Sequence, residues 1–399
     1  MTSKNVGRRG FLKSATAAGA ALGGLMLAKG GHEAQAVEMA ATVPRKQLGS
    51  TGVSIPIIQL GTSQRLNPTY DRVMHGSFKG GVDAFDTALS YGWGASHRAI
   101  ATFIGQMGDR KKLWLTSKSG RESAGGFTAD IDKALDELKT DYLDLYLMHG
   151  IEDLEMLRPE MLRAGEKLKR SGKTRFFGFS CHDGTVAQLM TRAAEIGSGA
   201  IDAILFRYNF RRYGDLELNR AIDACKKAGI GLVAMKTNAS VPDEAEKVVR
   251  FRSKQFNLDQ AKLKSVWADE RIDSLLSEMD SIRVMRENIA AAKSSATLRA
   301  GEWHQLNQLA ALTAHMACNG CAQFCESAAG GQAAIADTLR FYMYHESYGD
   351  PERARRLYGE LPAARRNFDG ADLAAAAAAC PQGIDVAGRL RSARNALEV

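Results

Sequence analysis

No long run of Lys and Arg occurs in the 399 residues, although the formal net charge is +8. Half of that charge sits in the first 36 residues, where Lys4, Arg8, Arg9, Lys13 and Lys29 face only Glu33. A stripe of cations able to track a phosphate backbone is missing, so no nucleic acid is expected as a partner. The apolar stretch 15–28 is interrupted by Gly19, Gly23 and Gly24. It falls short of the ~20 apolar residues that a membrane helix needs. No solenoid period recurs, which excludes a stacked-repeat fold. The balance of 45% hydrophobic and 25% charged residues excludes wholesale disorder.

The N-terminus reads as a targeting segment. Arg8-Arg9-Gly10-Phe11-Leu12-Lys13 resembles the twin-arginine export motif, with Gly7 where Ser or Thr is commoner, and Ala34-Gln35-Ala36 offers a small-x-small cleavage site. The alternative is a flexible or amphipathic N-terminal helix. The export reading implies a signal peptide over 1–36, the twin-arginine machinery as a partner and a periplasmic protein exported already folded, commonly with a cofactor inserted.

Beyond it, strand-like apolar runs cover residues 55–60, 83–87, 112–118, 142–149, 175–181, 203–208, 231–237 and 274–279. Helical patterns intervene at 130–139, 155–169, 185–196 and 216–228, two of them closed by Gly172 and Gly229. Eight strands with helical crossovers predict an α/β fold, a closed (β/α)8 TIM barrel over 46–295. The segment 47–54 reads as a β-hairpin covering the barrel floor. The charged stretch 243–264 reads as a solvated helical loop on the upper rim. A separate small helical domain is expected over 296–399, with an alanine-rich stretch at 371–379 and a final helix over 386–397.

Asp86, Tyr91, Lys118 and His149 stand at or just past strand ends, the face of such barrels that carries chemistry. Their surroundings are Phe85-Asp86-Thr87-Ala88-Leu89-Ser90-Tyr91-Gly92, Leu115-Thr116-Ser117-Lys118 and Asp144-Leu145-Tyr146-Leu147-Met148-His149. With Leu48-Gly49-Ser50-Thr51-Gly52, Leu60-Gly61-Thr62, Gly172-Lys173-Thr174-Arg175, Gly178-Phe179-Ser180 and Tyr208-Asn209, these words closely resemble the aldo-keto reductase family over roughly residues 46–292. The resemblance implies hydride transfer between NAD(P)H and a small carbonyl/alcohol substrate. A carbonyl taking hydride at carbon needs a proton at oxygen, and a phenol of ordinary pKa ~10 gives one up reluctantly unless a cation assists. Tyr91 is then the acid, Lys118 the cation that lowers its pKa and Asp86 the lysine's partner, while His149 donates a hydrogen bond to the substrate oxygen.

The resemblance implies Gly61, Thr62, Ser180, Lys236, Ser281, Glu287 and Asn288 for the cofactor. It departs at His97, where Glu is usual, and at Ala101, where Gly is. Leu205 stands in place of a Gln on the nicotinamide amide, and Met235 in place of a stacking aromatic. Glu278, followed by Asp280, stands where a Gly meets phosphate. An acidic rim disfavours a 2′-phosphate, so NADH is expected over NADPH. These departures also motivate an alternative: a degenerate barrel acting in electron transfer or binding without nicotinamide.

Of six cysteines, four fall in Cys318-Asn319-Gly320-Cys321-Ala322-Gln323-Phe324-Cys325 and Cys380-Pro381. These look like two halves of a ferredoxin-type motif, in which three close cysteines share a cluster with a distant Cys-Pro cysteine. The words resemble the C-terminal iron–sulfur domain of a subgroup of aldo-keto reductases, with one 4Fe–4S cluster on Cys318, Cys321, Cys325 and Cys380 and a possible redox partner protein. The spacing Cys321 to Cys325 is one residue longer than usual. Tetrahedral zinc, structural disulfides and a lost site are the rivals. Cys181 and Cys225 read as packing thiols.

Overall fold

The computed structural model describes residues 39–398 apart from 183, 239 and 240; the export signal expected over 1–36 lies outside the described residues. The first apolar run, 55–60, is two strands rather than one. Arg45–Gln47 (β1) and Ser54–Pro56 (β2) form an antiparallel hairpin, and Ile58–Gly61 (β3) belongs to another sheet. Pro56 has no N–H for a ladder, so the chain changes sheet there. Ile57 makes the corner: its N–H donates to the Pro44 carbonyl, and its own carbonyl accepts from Leu275 N.

Ala84–Asp86 (β4), Trp114–Ser119 (β5), Leu143–Met148 (β6), Thr174–Cys181 (β7), Ala203–Arg207 (β8), Gly231–Met235 (β9) and Ser274–Glu278 (β10) continue in parallel from β3. β10 pairs back onto β3 and closes an eight-stranded barrel. A helix follows each strand, several started by side-chain caps such as Asp71, Ser123, Asp215 and Ser281. Leu48 and Ile55 of the hairpin pack with Trp114, Leu145, Leu147, Ala203 and Val233 in the barrel interior. The hairpin is therefore the floor. Gly49 permits it: φ is +49°, and a Cβ there would lie 2.3 Å from Gly231 N.

The stretch 243–264 is not a solvated loop throughout. Helix Leu258–Trp267 opens on an Asn257/Gln260 capping box, and Lys262 and Lys264 are buried. Lys262 holds both Glu246 carboxylate oxygens, and Lys264 donates to the Ser294 carbonyl at 2.6 Å. Charge in the sequence signals solvent only where no buried partner waits.

After helix Ile282–Lys293 the tail contributes Ala300–Leu312, Ala322–Ala328, Ile335–Glu346, Pro351–Glu360, Leu373–Ala378 and Val386–Leu397. It has two small apolar clusters of its own, yet it does not stand apart. The described residues form one compact unit. Arg207 on β8 donates to the Cys318 carbonyl at 2.8 Å, and Arg211 donates to the Ala310 carbonyl and to Thr313 Oγ1. Clusters this small gain stability from a larger neighbour.

Candidate active site

The end of β4 is fixed by a chain of hydroxyls. Thr62 Oγ1 lies 2.8 Å from the Asp86 carbonyl and 2.7 Å from Ser96 Oγ, which lies 2.8 Å from Thr87 Oγ1. Past it the backbone turns sharply. Gly92, Trp93 and Gly94 all have positive φ, and Tyr91 N bonds the Ala88 carbonyl, so the Tyr91 side chain folds back over the strand ends. Lys118, near the end of β5, uses its three ammonium protons on Asp86 Oδ1 at 2.6 Å, the Thr87 carbonyl at 2.7 Å and Tyr91 OH at 3.3 Å. His149 lies just past β6, anchored by its N–H to the Ser119 carbonyl. Its ring meets that of Tyr91 edge-on at 5.8 Å. The four side chains thus come together around one point.

Lys118 is 1% and Asp86 2% exposed. Burial alone would strip the lysine of its proton, but Asp86 and then Tyr91 outweigh it, and its pKa is held above the ordinary value. Burial pushes the Tyr91 phenol up, and the opposing pull of Lys118 does not cancel this. That corrects the expected lowering: the ammonium lies closer to Asp86 than to the phenol, so Tyr91 keeps its proton. The His149 imidazole is driven well down by burial, then by Lys118, Arg340, Arg353 and Lys236. It is neutral and has an N–H to donate.

The residues expected at the cofactor are placed unevenly. Gly61 ends β3 against Glu278. Thr62 is absorbed by the hydroxyl chain above. Ser180 Oγ accepts from Gly150 N at 2.8 Å, bracing the loop after β6. Ser281 caps helix Ile282–Lys293, Asn288 donates to Ser277 Oγ, and Glu287 pairs with Arg283. Leu205 and Met235 lie in the apolar barrel interior. His97, where Glu is usual, links Glu137 at 2.8 Å to Ser117 at 3.0 Å beside Lys118. Its pKa is lowered to about 4, chiefly by burial.

The tail supplies what sequence reasoning missed. Arg353 donates to Ser63 Oγ at 3.0 Å and to Glu278 Oε1 at 3.2 Å, while Lys236 donates to Tyr344 OH at 3.1 Å. The Glu278 carboxylate is therefore not bare. Barrel and tail together enclose a cavity of about 1500 Å³ that borders Tyr91, His149, Lys236, Glu278, Tyr344 and Arg353. The one available signal was the crowding of aromatics among the arginines over 340–358.

Among the described residues no two cysteines are joined by a disulfide. Cys181 and Cys225 are buried, and Cys225 Sγ bonds the Met190 carbonyl. Cys318, Cys325 and Cys380 border one apolar cluster of the tail. Burial first, then the neighbouring thiols, raise Cys318 to about 11 and Cys325 to about 12. Among the described residues no three Cys, His, Asp or Glu side chains close on a point for a metal ion.

Residues 58–280 match the Aldo/keto reductase family. L-galactose dehydrogenase of Arabidopsis thaliana is 27% identical over 284 residues, 62% of this chain and 87% of that protein. Glyoxal reductase of Bacillus subtilis is 31% identical over 189 residues, 46% of this chain and 63% of its own. An aldo-keto reductase of Bacillus halodurans in its holo form shares the fold with a TM-score of 0.56 at 20% identity, over 68% of this chain and 96% of that one. A matched segment that spans more than half the chain, together with the Asp86–Lys118–Tyr91 linkage beside His149, makes this chain a member of the aldo/keto reductase family and an oxidoreductase.

Proposed function

We propose that the protein moves hydride between NADH or NADPH and a small carbonyl/alcohol substrate. The observation that carries this is the Lys118 ammonium bonded at once to Asp86 and to the Tyr91 hydroxyl, at a cavity His149 also borders. The dinucleotide, when bound, supplies or takes the hydride. Tyr91 gives its proton to the substrate oxygen as charge develops there, Lys118 steadies the phenolate left behind, and His149 donates a second hydrogen bond. Asp86 keeps the lysine charged and in place.

At about 1500 Å³ the cavity exceeds the ~300–1000 Å³ of common ligand pockets, which leaves room for a dinucleotide together with a small substrate. It also offers polar atoms in want of partners: the Gln64 amide, His182 Nδ1 and Asn238 Oδ1 are buried beside it without hydrogen bonds. Gly61, Thr62, Ser180, Lys236, Ser281, Glu287 and Asn288 are the residues that the resemblance assigns to hold it, and the helix Ile282–Lys293 would offer its N-terminus to phosphate. Met235 borders the cavity and would offer an apolar side chain to the nicotinamide, while Leu205 has no group to bond its amide. The same two residues keep a barrel without nicotinamide as the second reading.

NADH remains the expected form. Arg353 already neutralises Glu278 and is not free for a 2′-phosphate, so the preference is smaller than a bare carboxylate would impose. Equilibrium titration of the full chain should show NADH binding more tightly than NADPH, with Glu278→Gln narrowing the gap. Tighter NADPH would overturn that preference. No binding of either would overturn hydride transfer and favour the second reading.

We assign one 4Fe–4S cluster to Cys318, Cys321, Cys325 and Cys380, to relay electrons to a partner protein or to brace the tail. Two motif halves distant in sequence share one apolar cluster, and Arg207 brings a cation to the Cys318 carbonyl. Anaerobically purified protein should carry about four iron and four sulfide per chain, lost in Cys380→Ala. Stoichiometric zinc without sulfide would end this assignment.

The export reading places the folded protein in the periplasm by the twin-arginine route. Replacing Arg8 and Arg9 by Lys keeps charge but removes guanidinium geometry. The precursor is expected to stay cytoplasmic, as fractionation would show; unchanged periplasmic recovery would refute it.

A further inference from the structure

The tail brings into the mouth side chains that lie outside the family-matched segment, which ends at residue 280. Helix Ile335–Glu346 carries Arg340 and Tyr344, and helix Pro351–Glu360 carries Arg353. Three cations of the mouth have carboxylates: Lys118 has Asp86, Arg340 has Asp337 and Arg353 has Glu278. Lys236 differs. Its ammonium lies 3.1 Å from Tyr344 OH, 4.5 Å from the Tyr344 ring centre and 5.3 Å from that of Tyr348. Among the described residues no carboxylate lies within 4.0 Å of it.

Lys236 directly follows β9 and has the left-handed φ of +57°, a strained backbone for a side chain of its size. A half-buried ammonium without a counter-charge is costly unless something anionic meets it. Burial works against the charge, but Tyr344, Tyr348 and the carboxylate of Glu278, which lies beyond ion-pair distance, outweigh it and hold the ammonium protonated. Its surroundings are catalytic: Lys236 and Arg340 both act on His149 and on His182, whose Nδ1 has no partner. An uncharged carbonyl would leave this cation with no anion in bonding range.

We propose that the substrate carries a carboxylate close to its reacting carbon, held by the Lys236 ammonium while the Tyr344 hydroxyl orients that ammonium, so that short oxo acids and their hydroxy acids are the substrate class. The resemblance assigns Lys236 to the dinucleotide; the bond to Tyr344 and the shared cavity with His149 assign it to the substrate. Tyr344 is then a positioning residue, and the tail is part of what chooses the substrate. The proposal rests on the hydride-transfer reading. The same oxyanion chemistry has a second source, the dinucleotide pyrophosphate, and the test separates the two.

The full chain is titrated with pyruvate, 2-oxobutanoate and acetoacetate, and in parallel with their methyl esters, following binding by the shift of thermal melting and by calorimetry. Acids are expected to bind at least ~10-fold more tightly than esters, the usual scale of one charge-assisted hydrogen bond. Lys236→Met should erase that difference and Lys236→Arg restore part of it. Tyr344→Phe, which keeps the ring, should shrink it by roughly threefold or more and raise KM for acids while leaving kcat nearly unchanged. Equal binding of acid and ester by the unaltered protein overturns the proposal. So does a Lys236→Met protein that loses NADH binding but keeps the acid preference, because the oxyanion is then pyrophosphate. If Lys236→Met fails to fold, the acid–ester comparison and Tyr344→Phe still decide. An acid preference without turnover by either dinucleotide would instead fault the hydride reading.

Discussion

Tyr91→Phe is expected to lower turnover by at least ~10²-fold, the ordinary scale of general acid catalysis, while dinucleotide binding hardly changes. The substitution removes one oxygen and little else. The ring keeps its edge-on contact with His149 and its place under the Lys118 ammonium, 4.7 Å from the ring centre. What is lost is the proton donor. Because burial holds the Tyr91 pKa above its ordinary value, the wild-type phenol is protonated across the neutral range. His149, driven far below its ordinary value, stays neutral over the same range. Neither group should therefore impose a steep pH dependence on reduction near neutrality. Single-turnover hydride transfer from bound NADH or NADPH, followed by absorbance, checks both statements. A variant that reduces at near-normal rate would show that the proton comes from elsewhere.

The barrel and the gathering of Asp86, Tyr91, Lys118 and His149 at its mouth were legible because they depend on local pattern. Strand, crossover and strand repeat along the chain, and residues at strand ends are gathered by the fold itself. Failures arose where long-range partners decide. Pro56 divides an apolar run that hydrophobicity alone reads as one strand. Lys262 and Lys264 look solvated until Glu246 and the Ser294 carbonyl are found beside them. Arg353 stands in an arginine-rich helix, Pro351–Glu360, whose sequence suggests a wet surface, and only the folded tail reveals Glu278 and Ser63 as its partners. The direction of the Tyr91 shift was misread for a related reason. A nearby lysine is visible in the sequence, but the burial that outweighs it is a property of the assembled mouth.

Lys118→Met should damage stability and activity together, and a second substitution should pull the two apart. In the wild type the ammonium meets three acceptors while only 1% exposed. Replacing it with an apolar chain of similar length strands the Asp86 carboxylate at 2% exposure. Breaking a buried pair from one side typically costs ~3–5 kcal/mol. In a unit of this size each kcal/mol moves Tm by roughly 1–2 °C, so a loss on the order of 5 °C is expected. The pH dependence has a definite sign. Burial raises the Asp86 pKa against the pull of Lys118, and removing that pull raises it further. A carboxylate whose folded pKa lies above its unfolded value disfavours folding once pH climbs past the unfolded value, and fully so above the folded one. The deficit should therefore be largest at neutral and alkaline pH and shrink on acidification. Adding Asp86→Leu removes the stranded charge, and since apolar replacements of buried pairs are often neutral or better, most of the lost Tm should return. Turnover should not, because Tyr91 still lacks the cation that steadies its phenolate. Thermal melts at pH 5 and pH 8, run beside single-turnover assays of both variants, read the two effects separately. Recovery of activity along with stability in the double variant would mean that the Asp86–Lys118 pair only braces the barrel and that Tyr91 works without it.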